Sequence, residues 1–286
     1  MSSLPKPLLA LVDGSRRPLA AALLLGVFLA PALAGDPPPS SVRNFIRVVD
    51  DPDGGEQIQL AVRRYRIDKE IARKRSKTPL SALMKLRTDL PEVHLYSLIH
   101  VAERGYYQQV ARELKSYDLV LYEAMGFAQV PPDKGLSVKA ARVLVSQQHA
   151  LRPQGRRWRL ADVPIETQFR AMSLPKSLMK RQLASSSRQL TSIPRKLLIN
   201  RFRDPEEAFK ALPTQFLILQ RNSVAFAEVI KACYQGHRRI AVVYGAAHMP
   251  DLERRLTREF DYRLVGSRWL TALHEKKRTP KRPRLY

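Results

Sequence analysis

Three side chains that bind cations or move protons, His100, Glu123 and His248, each stand at or just beyond the end of a short run of β-favouring residues. The runs are Val93-His94-Leu95-Tyr96-Ser97-Leu98-Ile99, Leu119-Val120-Leu121-Tyr122 and Arg239-Ile240-Ala241-Val242-Val243-Tyr244, all of strand length and largely apolar. In open α/β sheets, ligands bind outside the carboxyl ends of the strands, where loops gather side chains and helix N-termini point their positive ends. If the three runs are parallel strands of one sheet, the three residues share a polar site. Two imidazoles and a carboxylate suit a divalent metal ion, and they suit acid–base chemistry equally well.

Neighbouring residues extend the site. Glu123 closes an otherwise apolar run, where a bare carboxylate would be costly, so it needs a metal, a proton or a cationic partner. Arg221, followed by Asn222, can grip a substrate carboxylate or phosphate with its fork, or it can pair with Glu123. Gly245, followed by Ala246 and Ala247 before His248, permits either a positive φ or a close backbone approach. Asn222 and Gly245 are the candidate substrate contacts, and Glu123 and Arg221 the candidate catalytic pair. Glu103, three residues after His100, is expected to cap a helix.

The elements that must position these residues follow from periodicity. Ala102, Tyr106, Val110 and Leu114 recur at helical spacing over 103–116. Strand, helix and strand within about thirty residues form a βαβ unit, which implies a parallel sheet. A second half repeats the logic: a helix over 223–234 stopped by Gly236, the strand from Arg239, and a helix over 251–259. A β-like run at 262–265 precedes Trp269. Earlier, Asp50-Asp51-Pro52-Asp53-Gly54-Gly55 is a turn between two strands, followed by a basic helix near 67–77. Residues 136–150 show a helical pattern, 161–165 a short strand, and 166–212 helical segments broken by Pro175, Pro194 and Pro205. The expected class is therefore α/β, a central mostly parallel sheet with flanking helices and a helical insertion in the middle of the chain.

At these residues the sequence resembles the TraB/GumN family, which includes the pheromone-shutdown proteins and the TIKI metalloproteases. The resemblance rests on Ser97-Leu98-Ile99-His100, Asp118-Leu119-Val120-Leu121-Tyr122-Glu123, Arg221-Asn222 and Gly245-Ala246-Ala247-His248, and covers about residues 93–269. The family pattern has two G-x-x-H motifs, a glutamate closing the strand after the first, and an arginine before the second. Ser97 departs from it, standing where the first motif has glycine. The resemblance implies a metal-dependent hydrolase, peptidase-like, with a manganese- or cobalt-like divalent ion held by His100, His248 and Glu123. Its substrate would be a peptide or another small envelope molecule. A protein that keeps the fold and binds a peptide or an anionic polymer without turnover is the alternative.

Composition sets the surroundings. The chain has 286 residues, 44% of them apolar and 27% charged, a globular balance. Its 50 Lys+Arg against 26 Asp+Glu give +24, which suits an anionic polymer or a membrane surface. The excess is dispersed, and no RNA-recognition, zinc-finger or basic-zipper pattern accompanies it, so nucleic acid is not the expected partner. The single cysteine, Cys233, excludes an intramolecular disulfide and a cysteine zinc cluster; it is expected to be a buried thiol on a helix. Lys6, Arg16 and Arg17, the apolar stretch 19–30 and Ala32-Leu33-Ala34 read as an export signal over 1–34, with a loose twin-arginine likeness. Export to a periplasm or the exterior follows, an uncleaved membrane anchor being the alternative. A proline-rich spacer at 35–41, the domain at 42–275 and a basic disordered tail at 276–286 complete the expected organisation.

Overall fold

The computed structural model describes residues 40–70, 90–124, 143–164, 167, 191–210 and 215–276. Strands β1 (Ile46–Asp50) and β2 (Gly55–Ile67) form the antiparallel hairpin expected around the Asp/Gly turn. β3 (Glu92–Leu98) leads through the short β4 (Val101–Glu103) into helix α1 (Arg104–Leu114), and β5 (Leu119–Tyr122) follows. Then come β6 (Leu144–Ser146), helix α2 (Gln147–Ala150), β7 (Trp158–Leu160) and helices α3 (Arg195–Arg203) and α4 (Pro205–Lys210). Helix α5 (Gln215–Gln235), β8 (Arg239–Gly245), helix α6 (Met249–Arg254) and β9 (Tyr262–Lys276) close the domain.

The main sheet runs in the order β1-β2-β3-β8-β5-β7, with β9 on the other edge of β2. β3, β8, β5 and β7 are mutually parallel, as the βαβ pattern requires, and the hairpin and β9 extend the sheet with antiparallel pairs. β8 lies between β3 and β5, so the α1 crossover passes over the place that the last parallel strand fills. Parallel strands buried on both faces read as unbroken apolar runs. In β8, Ile240, Val242 and Tyr244 enter one core while Ala241 and Val243 enter the other. Ala225, Phe226, Val229 and Cys233 of α5 pack on the face of Ile240, Val242 and Tyr244, and Tyr106, Tyr107, Val110 and Leu114 of α1 on the face of Ala241 and Val243. Burying one such aliphatic or aromatic side chain contributes about 1.5–3 kcal/mol, so β8 is the anchor of the sheet. Cys233 is buried on its helix as expected, and Gly236, at φ 88°, ends α5 in the left-handed conformation that a residue with a Cβ resists.

Several boundaries move. Arg221 and Asn222 lie inside α5, six and seven residues after its first described residue, rather than ahead of a helix at Ser223. The helix expected over 136–150 holds, among its described residues, the strand β6 and only a single turn of helix; Val145 pairs with Ala102 across β4. The strand sought at 161–165 is β7, three residues earlier. The run at 262–265 is the start of one long bulged strand that pairs along the whole of β2 and takes in Trp269. Helix α6 ends at Arg254 and continues as a π turn over Arg255–Glu259. Glu103 occupies the N-cap position of α1 without a capping hydrogen bond; its carboxylate accepts instead from the backbone N–H of His274 at 3.1 Å and pairs with Arg195 and the His274 ring. Local spacing suggests a cap, but the distant β9 supplies better donors. Ser40 and Ser41, the end of the expected spacer, already contact Glu253 and Glu206. The signal over 1–34, the rest of the spacer, the tail beyond Lys276, and most of the 67–77 helix and of the 166–212 insertion lie outside the described residues. Among the described residues no helix is long and apolar enough to cross a membrane.

Candidate functional site

Parallel register sets the three strand ends side by side. Leu98 is level with Gly245, and Tyr122 with Val243. His100 therefore follows β3, Glu123 follows β5 and His248 follows β8 at the same end of the sheet. A 3-10 turn, Ala246–His248, carries the last of them inward. The β8 to α6 connection stays tight because Gly245 has φ −60°, so the glycine is not there for a left-handed backbone. Its role is close approach: a Cβ would stand 3.6 Å from Glu123 Oε1 and 3.8 Å from the His248 ring.

The buried centre is a hydrogen-bonded cluster around Arg221. Its Nε and Nη2 donate to Asp162 at 3.0 and 2.8 Å, Nη2 also to Glu123 Oε2 at 3.1 Å, and Nη1 faces His248 Nε2 at 3.2 Å. Burial works against the guanidinium charge, but Asp162 and Glu123 outweigh it and raise its pKa. Two carboxylates facing one guanidinium leave one negative charge in excess.

Asn222 fixes the imidazole. Its amide nitrogen donates to the His248 carbonyl at 3.1 Å and to Asp251 at 3.0 Å, so its oxygen must accept from His248 Nδ1, 2.7 Å away. Nδ1 then carries the proton and Nε2 the lone pair, which points at Arg221 and Glu123. Burial holds the ring well below the usual histidine pKa, and the charges of Arg221 and His100 add to the effect. The imidazole is neutral at pH 7, the form that binds a metal or accepts a proton.

The structure brings together Glu123, Arg221, Asn222, Gly245 and His248. His100 sits apart, on the exposed rim, and its side chain makes none of the cluster's hydrogen bonds; it reaches His248 through charge. Ser97 keeps its place in the β3–β8 pairing opposite Tyr244, so its Cβ is accommodated.

Three buried polar groups at this end have atoms without a partner: Ser97 Oγ, Glu123 Oε1 and the side-chain amide of Gln147. Among the described residues no three His, Cys, Asp or Glu side chains converge as a ready metal cage. The donor pair that does face inward is Glu123 and His248, with Oε2 and Nε2 3.7 Å apart, within the roughly 4.2 Å that two ligand bonds of about 2.1 Å can span. Glu123 Oε1, without a partner, and the oriented His248 Nε2 are atoms of the kind that ligate a divalent cation, and Arg221 contacts Nε2 and the other carboxylate oxygen.

Asp162 and Gln147 went unnoticed in the sequence. Asp162 holds Arg221 and also accepts from the backbone N–H groups of Ala124 and Val163, both at 2.7 Å. It stands two residues after β7, so the strand-end rule that selected Glu123 selects it too once that strand is placed correctly. Gln147 is fully buried and its N–H donates to the His100 carbonyl at 2.9 Å; no local pattern marks it. Tyr244 completes the wall, its hydroxyl bonded to the Ala161 carbonyl and its ring edge-on to His248 at 5.1 Å. Comparison with protein-family models, curated proteins and solved structures gives no match.

Proposed function

We propose that this chain is an exported, TraB/GumN-like hydrolase dependent on a divalent metal ion and directed at peptides or similar small envelope molecules. One observation carries the reading: Asn222 aims the neutral His248 lone pair at a carboxylate, Glu123, one of whose oxygens is buried without a partner. His248 and Glu123 would hold the ion from within and His100 from the rim. A manganese- or cobalt-like ion bound there would supply an activated water at neutral pH.

The chain's own groups prepare the site. Asp162 holds the Arg221 fork on two donors, leaving Nη1 and part of Nη2 turned toward His248 and Glu123. Arg221 thereby offers positive charge where negative charge grows on a substrate carbonyl or phosphoryl oxygen. Gly245 leaves the space beside Glu123 open to a reacting group. The basic segment and apolar stretch at the N-terminus support export.

The same cluster also favours a second reading. Arg221 already occupies the His248 lone pair and bridges Glu123 to Asp162, as in a buried cluster that holds the fold of a binding protein and performs no chemistry. Purified full-length chain incubated with Mn2+ and a fluorogenic peptide library separates the two. Hydrolysis that stops with a chelator and in His248→Ala supports the hydrolase; a chain that binds peptide without cleaving it supports the alternative.

A further inference from the structure

The opposite end of the sheet holds a second polar site. Helix α1 has 11 residues, about 16 Å of helix, and ends at Leu114, leaving the lower part of its sheet face uncovered. There β2, β3 and β9 run side by side in register, with Arg64 opposite His94, Val62 opposite Tyr96, and Gly266 opposite Arg64. The result is a cleft of about 510 Å3, within the size range of small-molecule sites. Arg64, Arg239 and Arg268 line it, with Glu113 as the only carboxylate among its lining residues.

Its floor is preorganised. Tyr96 donates to Glu113 at 3.0 Å and meets the Tyr117 hydroxyl at 3.1 Å; Tyr117 in turn meets His94 Nδ1 at 2.5 Å. Arg268 clasps Glu113 with both terminal nitrogens. The Arg239 guanidinium lies over the Tyr117 ring, 4.9 Å from its centre, which orients a cation that would otherwise be mobile. Burial keeps His94 below the usual histidine pKa, and the three guanidinium groups of the lining face Glu113 within it and Glu92, which pairs with Arg64 and His94, beside it. Arg64 and Arg268 are about half exposed at the mouth, at 44% and 47% of their side chains. Arg268 is held by Glu113 and Arg64 has its Nε 3.7 Å from Glu92, so an incoming anion would meet the outward side of each guanidinium.

We propose that this cleft binds an oxyanion of two or more negative charges on a small organic body, either a phosphate ester or a di- or tricarboxylate. Guanidinium forks match both oxyanions. The cleft uses none of the residues at the carboxyl end of the sheet, so it stands or falls separately from the proposed hydrolase.

Full-length chain titrated calorimetrically with inorganic pyrophosphate and with citrate tests the proposal, the stronger of the two arms naming the chemistry. Saturable binding is expected, weakened at least about tenfold in the double variant Arg64→Gln, Arg239→Gln. It should change less than about twofold in Arg152→Gln, Arg156→Gln, which removes the same charge from exposed positions elsewhere, and in His248→Ala. Gly266→Leu is a second test that keeps every charge: the atoms nearest to a Cβ there belong to the flexible Arg64 side chain, at 3.5 Å, so leucine should fill the cleft and abolish binding in a folded chain. Absence of saturable binding in both arms, an equal loss in the Arg152, Arg156 control, a loss in His248→Ala, or full binding by Gly266→Leu would each overturn the proposal.

Discussion

The side-chain oxygen of Asn222 lies 2.7 Å from His248 Nδ1, and this one contact determines which nitrogen of the imidazole faces the site. Partners of this kind orient a ligand histidine, and their loss typically costs ten- to a hundredfold in metal affinity. Asn222→Leu is therefore expected to weaken Mn2+ binding by that factor. It should also destabilise the fold by about 1–3 kcal/mol, because it strips Asp251 and the His248 carbonyl of a donor. Calorimetric titration and urea unfolding check the two effects; unchanged affinity would mean that the ring is held by packing alone.

Arg221 is the keystone of the buried charge. Arg221→Met leaves Asp162 and Glu123 facing each other without a cation, and a loss of about 3–5 kcal/mol is expected from urea unfolding at pH 7. Arg221→Lys should recover only a small part of that, since a single ammonium cannot reproduce the Nε and Nη2 grip on Asp162. Full rescue by lysine would show that charge, without geometry, is what the site needs.

Gly245→Ala separates space from stability. The new Cβ would meet Glu123 Oε1 at 3.6 Å, an ordinary contact, on a backbone at φ −60° that alanine adopts freely. The thermal midpoint should stay within a few degrees of the parent, a change below about 1 kcal/mol. Peptide turnover should fall by tenfold or more, because the methyl group takes the space beside the unpartnered oxygen. A variant with parental turnover would place the reacting group elsewhere.

The placement of the site was legible because it depends on a local regularity. Glu123 and Gly245 directly follow apolar runs, His248 comes three residues after Gly245, and parallel register makes neighbouring strand ends level. What sequence could not supply was pairing between distant segments. Asp162 was hidden by a strand placed three residues late, and Arg221, legible as a partner of Glu123, lies inside α5 and not ahead of a helix. The contacts of Glu103 with His274 and Arg195, and the cleft between β2, β3 and β9, rest on a strand whose partner lies some two hundred residues away. Alternation along β9 gives no hint of that partner.

His94 gives a pH signature. Burial depresses its pKa below the ordinary 6.5, and the charges of Arg239 and Arg64 push the same way against the pull of Glu92. Because the folded chain binds this proton less readily than the unfolded chain, the stability it confers is complete above pH 6.5 and is lost as pH falls through the folded-state value. One proton corresponds to at most about 1.4 kcal/mol per pH unit. The His94 ring resonance followed by NMR should reach half-protonation below pH 6.5, and urea midpoints should fall less steeply with acid in His94→Gln than in the parent. A midpoint at or above 6.5 would show that Glu92 dominates its surroundings.

The most direct test of the metal site is a calorimetric titration of the purified, chelator-treated chain with Mn2+, run in parallel on His248→Ala and Glu123→Gln. Saturation at about one ion per parent chain, with binding lost or weakened at least tenfold in both variants, is the expected result. No stoichiometric binding by the parent, or equal binding by all three proteins, would contradict a cation held by His248 and Glu123.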